Sequence, residues 1–470
     1  MQRRRFLKGS VLLGAGAAIG STAGCGPHGE EPQSPVNYEP GKPLPWINWA
    51  GNQHCYPESR KAPQNTDQLI DIMKSAKGVI RAVGSGHSFS GLVPTDDTLI
   101  STDLMSGLVS HDPKSLQATL LGGTTLRDCG PILDAIGQAM PNMPDMDYPT
   151  LAGAIASSVH ATGAAFGSMS SYVVALKLVT PQGELIECSA DKNPEIFQAA
   201  RTSLGALGVI SEVTIQNQTP FNLTEVNGVT TANEIWATLD QRVANNRHFE
   251  LFTIPYSDLI LTVTTNLAKP EDNNSGEDDP QAVNALREAF NATHWIPAIG
   301  SRLYSKLLDL SMSGSANVIR TGKSYEVFPH VRIVRFREME YTVPAEVGPA
   351  CMQEIMQTIR TKKLPISFPF EYRYVKGDDV WLSMFEGRDG CSISIHQYGD
   401  LDYKRVFAEI EPIFWKYEGR PHWGKIHTLD AQRLASLYPR HWQDFQEIRT
   451  ALDPEGKMMN KHLKQIFGDR

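Results

Sequence analysis

The sequence predicts an α+β protein of two domains, and three observations carry that prediction. Between Trp46 and Thr219, short runs with strand character are interleaved with helix-spaced segments. Within that stretch lie three loops of small residues, each beside a strand. From Phe221 the texture changes: aromatic residues are more frequent, glycines fewer and strands longer, as in Leu259 to Thr265.

Composition sets outer bounds. A chain of 470 residues, 41% hydrophobic and 20% charged, is long enough for two or three domains with substantial cores. Its formal net charge of −8 offers no broad basic face, so no nucleic-acid partner is expected and small-molecule chemistry is favoured. The six cysteines include no CxxC pair, which argues against a structural zinc site and a dense disulfide framework. One or two bridges stay open, with no pairing implied.

Residues 1–32 read as an export signal and leader. Arg3-Arg4-Arg5-Phe6-Leu7-Lys8 is a charged head, Val11 to Ile19 a short apolar middle, and Ser21-Thr22-Ala23-Gly24 a small-residue exit. The apolar run is too short for a mature membrane span. Consecutive arginines before Phe-Leu-Lys resemble a twin-arginine signal. That route carries folded proteins, so the expectation is export by the twin-arginine machinery to a periplasmic or membrane-attached location, with any cofactor already inserted. Thr22-Ala23-Gly24-Cys25 also resembles a lipoprotein box, with Thr22 where an aliphatic residue is usual. A lipid on Cys25 would tether the protein to a membrane surface.

Gly26 to Pro45, rich in Pro, Gly and Glu, continues the leader, and Trp46-Ile47-Asn48-Trp49 opens the packed region. Thr66 to Lys77 has helical spacing, with Leu69, Ile70 and Met73 on one face and Asp67 in the first turn. Strands are predicted at Ile80 to Val83, Thr98 to Thr102, Gln117 to Gly122, Val173 to Thr180, Glu184 to Cys188 and Val209 to Gln216. Helices are predicted at Thr125 to Ala139 and Pro194 to Arg201. The run Met140-Pro141-Asn142-Met143-Pro144-Asp145-Met146 invites a thioether metal site, but its two prolines favour a loop over apolar surface, and no metal is expected. Further on, Lys269 to Pro280 reads as an acidic surface loop and Gln281 to Ala292 as a helix. Asp444 to Thr450 is a helix followed by a turn and a short tail.

The loops carry the chemistry. After the strand Ile80 to Val83 comes Gly84-Ser85-Gly86-His87-Ser88-Phe89-Ser90-Gly91, whose backbone amides can curl around an anion such as a pyrophosphate. His87 is placed against whatever the loop holds and can act as a nucleophile at neutral pH. Taken alone, the stretch also reads as a glycine-rich turn with an incidental histidine. A nicotinamide-type fingerprint fails, because its third glycine position is Phe89 and no helix start follows. The second loop, Thr150 to Gly163, ends in Ser157-Ser158-Val159-His160-Ala161-Thr162-Gly163, which suits backbone brought against a flat ligand. Ser203 to Ile210 is the third.

With four further islands, these loops resemble the vanillyl-alcohol-oxidase type of flavoprotein. The closer resemblance is to its aldonolactone and alditol oxidase branch, which includes D-arabinono-1,4-lactone and L-gulono-1,4-lactone oxidases. The islands are Arg81 to Ser90, Thr150 to Gly163, Gly205 to Thr214, Arg335 to Pro344, Glu371 to Ser383, Arg420 to His427 and Leu452 to Asn460, spread from about Trp46 to the chain end. The resemblance implies an FAD-binding domain over 33–220, an antiparallel-sheet substrate domain over 221–418, and a return over 419–470 that completes the site. It implies FAD bonded through His87 to the 8α-methyl of the ring, which generally raises the flavin's potential and prevents its loss. The implied cofactor contacts are Arg81, Gly84, Ser85, Gly86, His87 and Ser88 in the first loop. The second loop adds Gly153, Ser157, Ser158, His160, Thr162 and Gly163, and the third Gly208, Val209 and Ile210.

Glu371 and Arg373, two apart, share one face of a predicted strand. Alone they would read as a surface ion pair; matched to the family they become a substrate-hydroxyl acceptor and an oxyanion or flavin stabiliser. Lys425 is flanked by aromatic and small residues that could exclude water and let it exchange a proton with the substrate hydroxyl. His396, on an alternating strand, faces either the same cavity, as a substrate contact, or the sheet surface. Glu338 and Glu340 alternate with apolar residues and are assigned structural roles. The chain departs from the branch at Val159, where Thr is usual, and at Ala161, where Gly is usual. The absence of a cysteine in the second loop argues against a second flavin attachment.

The expected activity is oxidation of a CH–OH group of a sugar-1,4-lactone or alditol, with hydride passing to FAD and O2 reoxidising it to give H2O2. One alternative is a dehydrogenase serving a quinone or cytochrome. The other is a non-catalytic flavin- or sugar-binding lipoprotein.

Overall fold

The computed structural model describes Gly41 and residues 43–469, apart from 270, 273, 275, 277–281, 297–298 and 313–317. The expected export signal and Cys25 lie outside the described residues. Among those described, no helix is long and apolar enough to cross a membrane.

Three larger sheets organise the chain. The first is parallel, with Thr98–Ser101 between Ser59–Lys61 and Ile80–Val83. Its helix, Thr66–Ser75, starts where the Asn65 side chain accepts the Gln68 N–H. Leu69 and Met73 pack with Ile80, Ile100 and Met458, so the end of the chain is built into this first layer. The second sheet is antiparallel, in the order Leu108–Asp112, Gln117–Leu121, Val209–Gln216, Val173–Val179, Leu185–Ser189. The helices Leu126–Ala135 and Leu151–Ala156 bury Leu133 and Ile155 in the same core as Leu120 and Leu176 of this sheet.

The third sheet has eight antiparallel strands. Their order is Val318–Lys323, Asn222–Thr231, Leu259–Leu267, His248–Thr253, Phe370–Val375, Gly390–Tyr398, Phe336–Pro344 and, at the edge, Arg420–Pro421. Strand periodicity divides its central strands into two unlike faces. Tyr372, Ile393, Ile395, Met339 and Tyr341 share a core with Ile355 of the helix Gly348–Lys362 and Ile410 of the helix Lys404–Lys416. Each such apolar side chain contributes about 1.5–3 kcal/mol by leaving water. The opposite face carries Glu250, Glu371, Arg373, His396, Glu338 and Glu340, and these too are buried. A buried charged face is costly unless its groups pair, and this one closes over a cavity.

Most predicted elements fall where expected, and Ile80–Val83 and Val209–Gln216 match residue for residue. The helix predicted to reach Ala139 stops at Ala135, because Gly137 enters the left-handed region at φ +73°. The predicted short tail contains the helix Lys461–Phe467, with Leu463, Ile466 and Phe467 buried. Two turns give too few repeats for a periodic signal. Asn460 caps that helix and donates to the carbonyls of Gly91 and Pro94 at 2.9 and 3.0 Å, tying the tail to the first loop.

Candidate active site

The first two loops meet at Gly84, where a Cβ would stand 2.3 Å from Thr150 Oγ1. The third passes equally close to its neighbour: at Gly208, φ +139°, a Cβ would meet the Val179 carbonyl at 2.3 Å. Only glycine allows that approach. Arg81, expected at the cofactor, lines the site's cavity and also joins the loops. Its guanidinium donates to the carbonyls of Leu92 (2.7 Å), Gly205 (2.9 Å), Met458 (2.7 Å) and Leu204 (2.6 Å). All its nitrogens are engaged by main chain from the first loop, the third loop and the tail, so its contribution is to hold backbone in place.

His87 lies between the rings of Trp49 and Tyr148, stacked at centroid distances of 5.2 and 5.4 Å. Burial, with the charge of Lys425 adding to it, lowers its pKa to about 4, so the imidazole is neutral and nucleophilic at pH 7. Its Nδ1 is buried with no hydrogen-bond partner among the described residues. A buried polar atom of that kind calls for an occupant.

The three loops and the polar face enclose a cavity of about 1890 Å³, well above the roughly 300–1,000 Å³ typical of a small-ligand pocket. A dinucleotide and a small substrate fit together in such a volume. Gly84, Ser85, Gly86, His87 and Ser88 line it from the first loop, Gly153, Ser157 and His160 from the second, and Gly208, Val209 and Ile210 from the third. Glu371, Arg373, His396 and Lys425 line it from the other side. Three expected contacts are absent from the wall. Ser158 bonds Ser383 (3.2 Å), Thr162 donates to the Phe249 carbonyl (3.1 Å), and the Gly163 N–H donates to the Tyr374 carbonyl (2.9 Å). These residues fasten the second loop to its surroundings. Of the two departures from the family pattern, Val159 lines the cavity and Ala161 does not.

Register assembles the polar face. Glu371 pairs with Ser394, Arg373 with Ser392, Glu338 with His396, Glu340 with Ser394 and Glu250 with Arg373. Arg373 Nη2 stands 3.2 Å from Glu371 Oε2 and 3.3 Å from Glu340 Oε1. Glu340 Oε1 is also 2.5 Å from His160 Nε2, while His160 Nδ1 is 2.9 Å from the Ala161 carbonyl. A carbonyl only accepts, so Nδ1 carries hydrogen, and Nε2 faces the Glu340 carboxylate. Burial alone would push Glu340 up, yet His160 and Arg373 draw it well below the carboxylate range.

Lys425 Nζ donates to Glu338 Oε2 and lies 5.0 Å above the Phe89 ring. Against the effect of burial, Lys425 and then His396 hold Glu338 down to about 2. Glu371 is different: burial raises its pKa, only partly opposed by Arg373. Among the described residues, Glu371 Oε1, Arg373 Nε and Ser394 Oγ are all buried without hydrogen-bond partners, which is capacity that a hydroxylated ligand satisfies. His160, Glu340 and His422 present their ligand atoms within 4.8 Å of one another. His422 Nδ1 accepts the Gly424 N–H at 3.0 Å, leaving its hydrogen on Nε2 and no lone pair for a cation.

Sequence reasoning assigned Glu338 and Glu340 to structure and passed over Glu250 and His422. A signal was present: two acids in one strand at period two, beside a second strand with an acid and a base at period two. Only the register of both strands against Gly390–Tyr398, which lies between them, shows that both sets share one face.

The profile described as D-arabinono-1,4-lactone oxidase matches residues 213–466, and that described as FAD binding domain matches residues 57–189. The L-gulono-1,4-lactone dehydrogenase of Mycobacterium tuberculosis is 35% identical over 433 residues, covering 90% of this chain and 99% of that protein. The L-gulonolactone oxidase of Bos taurus is 29% identical, covering 91% and 99%. Among solved structures, a solvent-stable cholesterol oxidase superposes with a TM-score of 0.75 at 18% identity, covering 91% of this chain and 98% of its own, which shows the fold. With a matching profile over more than half its length and a relative of this identity along nearly all of it, the chain belongs to the D-arabinono-1,4-lactone oxidase family.

Proposed function

We propose that this FAD-dependent oxidoreductase oxidises a CH–OH group of a sugar-1,4-lactone or an alditol, with its FAD tethered covalently through His87. The observation that carries the reading is one cavity bounded on the loop side by a neutral His87 and on the sheet side by two cations beside the Glu371 carboxyl, with His87 Nδ1 and Glu371 Oε1 lacking a hydrogen-bond partner among the described residues. The loops fit the cofactor: Gly84 and Gly208 leave no room for a side chain, and Gly84, Ser85, Gly86, Ser88, Gly153, Ser157, Val209 and Ile210 offer backbone and small groups to a flat dinucleotide. When bound, FAD supplies the hydride acceptor.

The protein's own groups supply the rest. Glu371 Oε1 hydrogen-bonds a substrate hydroxyl, and Arg373 holds negative charge as it develops on the carbinol oxygen. Lys425 exchanges the hydroxyl proton, and His396, lining the cavity, contacts the substrate. The rings of Trp49 and Tyr148, stacked on His87, fix the plane of its imidazole. Anaerobic addition of aldonolactones and alditols should bleach the flavin spectrum with at least one of them. A full panel without bleaching contradicts the proposal and favours a non-catalytic binding protein.

Oxygen is the proposed acceptor, giving H2O2. The second reading, a dehydrogenase serving a quinone or cytochrome, is favoured by the name of the 35% identical relative. Timed reoxidation in air of the bleached enzyme separates the two: recovery within a turnover supports the oxidase, and a persistently reduced flavin the dehydrogenase. Export through Arg4 and Arg5 belongs to the same proposal. Replacing both with Lys should trap the precursor in the cytoplasm, and normal export of that variant contradicts the twin-arginine route.

A further inference from the structure

Lys425 needs something to hold it. Its turn is stitched by main chain to both halves of the site: the Phe89 N–H donates to the Gly424 carbonyl (2.7 Å), the Ile426 N–H to the Glu338 carbonyl (2.9 Å), and the His422 N–H to the Glu340 carbonyl (2.9 Å). Those bonds fix the backbone and leave free a flexible four-carbon stem with many rotamers. The stem is confined on one side by the Phe89 ring. On the other, the ammonium donates to Glu338 Oε2, and Glu338 is itself 3% exposed. The second oxygen, Oε1, stands 3.6 Å from His396 Nε2, too far for a hydrogen bond but in the same row of the sheet. His396 Nδ1 donates to the Pro369 carbonyl at 2.9 Å, which fixes that ring.

We propose that Glu338 is a positioning residue for the reaction, holding the Lys425 ammonium at one point of the cavity wall where the substrate hydroxyl is presented. The proposal rests on the reading of Lys425 as the proton-exchanging group. Glu338 reaches the reaction only through that cation, while its backbone, paired to Ile426, keeps the turn folded whatever its side chain. A carboxylate buried solely for stability is a poor device, since paired buried charges rarely exceed an apolar replacement in stability. In this site the pair instead fixes the location of a mobile group, where a displacement of about 1 Å can cost 100-fold in rate.

The test is a double-mutant cycle on the flavin-loaded enzyme, comparing wild type, Glu338→Gln, Lys425→Met and the double variant. Flavin content, melting temperature, substrate KM and the limiting rate of anaerobic flavin reduction are read for each. Glu338→Gln is expected to keep its flavin and its KM and to lose roughly 10- to 100-fold in limiting rate. The double variant is expected to be no slower than Lys425→Met alone. Multiplied losses in the double variant, or a Glu338→Gln enzyme at full rate beside a slow Lys425→Met, overturn the positioning role and leave the role of Lys425 standing. A near-normal Lys425→Met overturns that role, and the proposal with it. Should Glu338→Gln not fold, Glu338→Asp keeps the charge but draws it back by one methylene, and the same comparison applies.

Discussion

The histidine of the first loop is the most exposed test at the residue scale. A neutral His87 with an orphaned Nδ1 should form the flavin bond, so acid precipitation of the wild type is expected to leave a yellow pellet, and His87→Ala to release its flavin into the supernatant. A yellow His87→Ala pellet would place the attachment elsewhere. Other buried histidines govern acid stability. His248 and His462 are lowered to about 4, and His422 and His427 to about 3, chiefly by burial. In the unfolded chain they titrate near 6.5, so below that pH the unfolded state binds more protons and stability falls as pH drops from about 6.5 toward 4. Each contributes about 1.4 kcal/mol per pH unit in that window. Urea unfolding at about pH 7 and pH 5 should differ by several kcal/mol, with raised Glu250 and Glu371 opposing part of the loss. Equal stability at both would contradict the burial of neutral imidazoles. His87 and Lys425 were legible in the sequence because small or aromatic neighbours frame them. Glu338 and Glu340 were not, because period-two acids look alike on a solvated strand and on a cavity floor.

Between elements, the account depends on two clasps. Arg81 bonds four carbonyls from three separate segments, so Arg81→Lys, a point charge without the guanidinium fork, should cost about 3 kcal/mol or more and loosen flavin retention before it unfolds the protein. An unchanged melting temperature would show that the loops hold without it. Glu340 clasps His160 of the second loop and Arg373 of the sheet; Glu340→Gln breaks a buried charged network and should cost about 3–5 kcal/mol, read by chemical denaturation. A loss below about 1 kcal/mol would place it among surface-like pairs. The strands and the glycine loops were readable from local pattern, since Gly84 and Gly208 are where the backbone passes within a side chain's width of its neighbour. The short tail helix was not, because its two turns give too few repeats for a periodic signal, and the role of Arg81 was not, because three of its four carbonyl partners lie more than 100 residues away.

At the scale of the whole molecule, the α+β character and the change of texture at Phe221 were visible in the sequence. The site was not, because it exists only where the eight-stranded sheet turns its charged face toward three loops from the other layers. The family's ordered islands named most of the wall in advance, while Ser158, Thr162 and Gly163 proved to be fasteners behind it. The central claim is that this face, with Lys425 at its edge, does the chemistry on a sugar-derived hydroxyl. Its most direct test is the anaerobic reduction rate of the flavin with the best lactone or alditol, measured for wild type and Lys425→Met at matched flavin content. The account predicts rapid bleaching by the wild type and a loss of about 100-fold or more in the variant; equal rates, or a wild-type flavin that no sugar lactone or alditol bleaches, would contradict it.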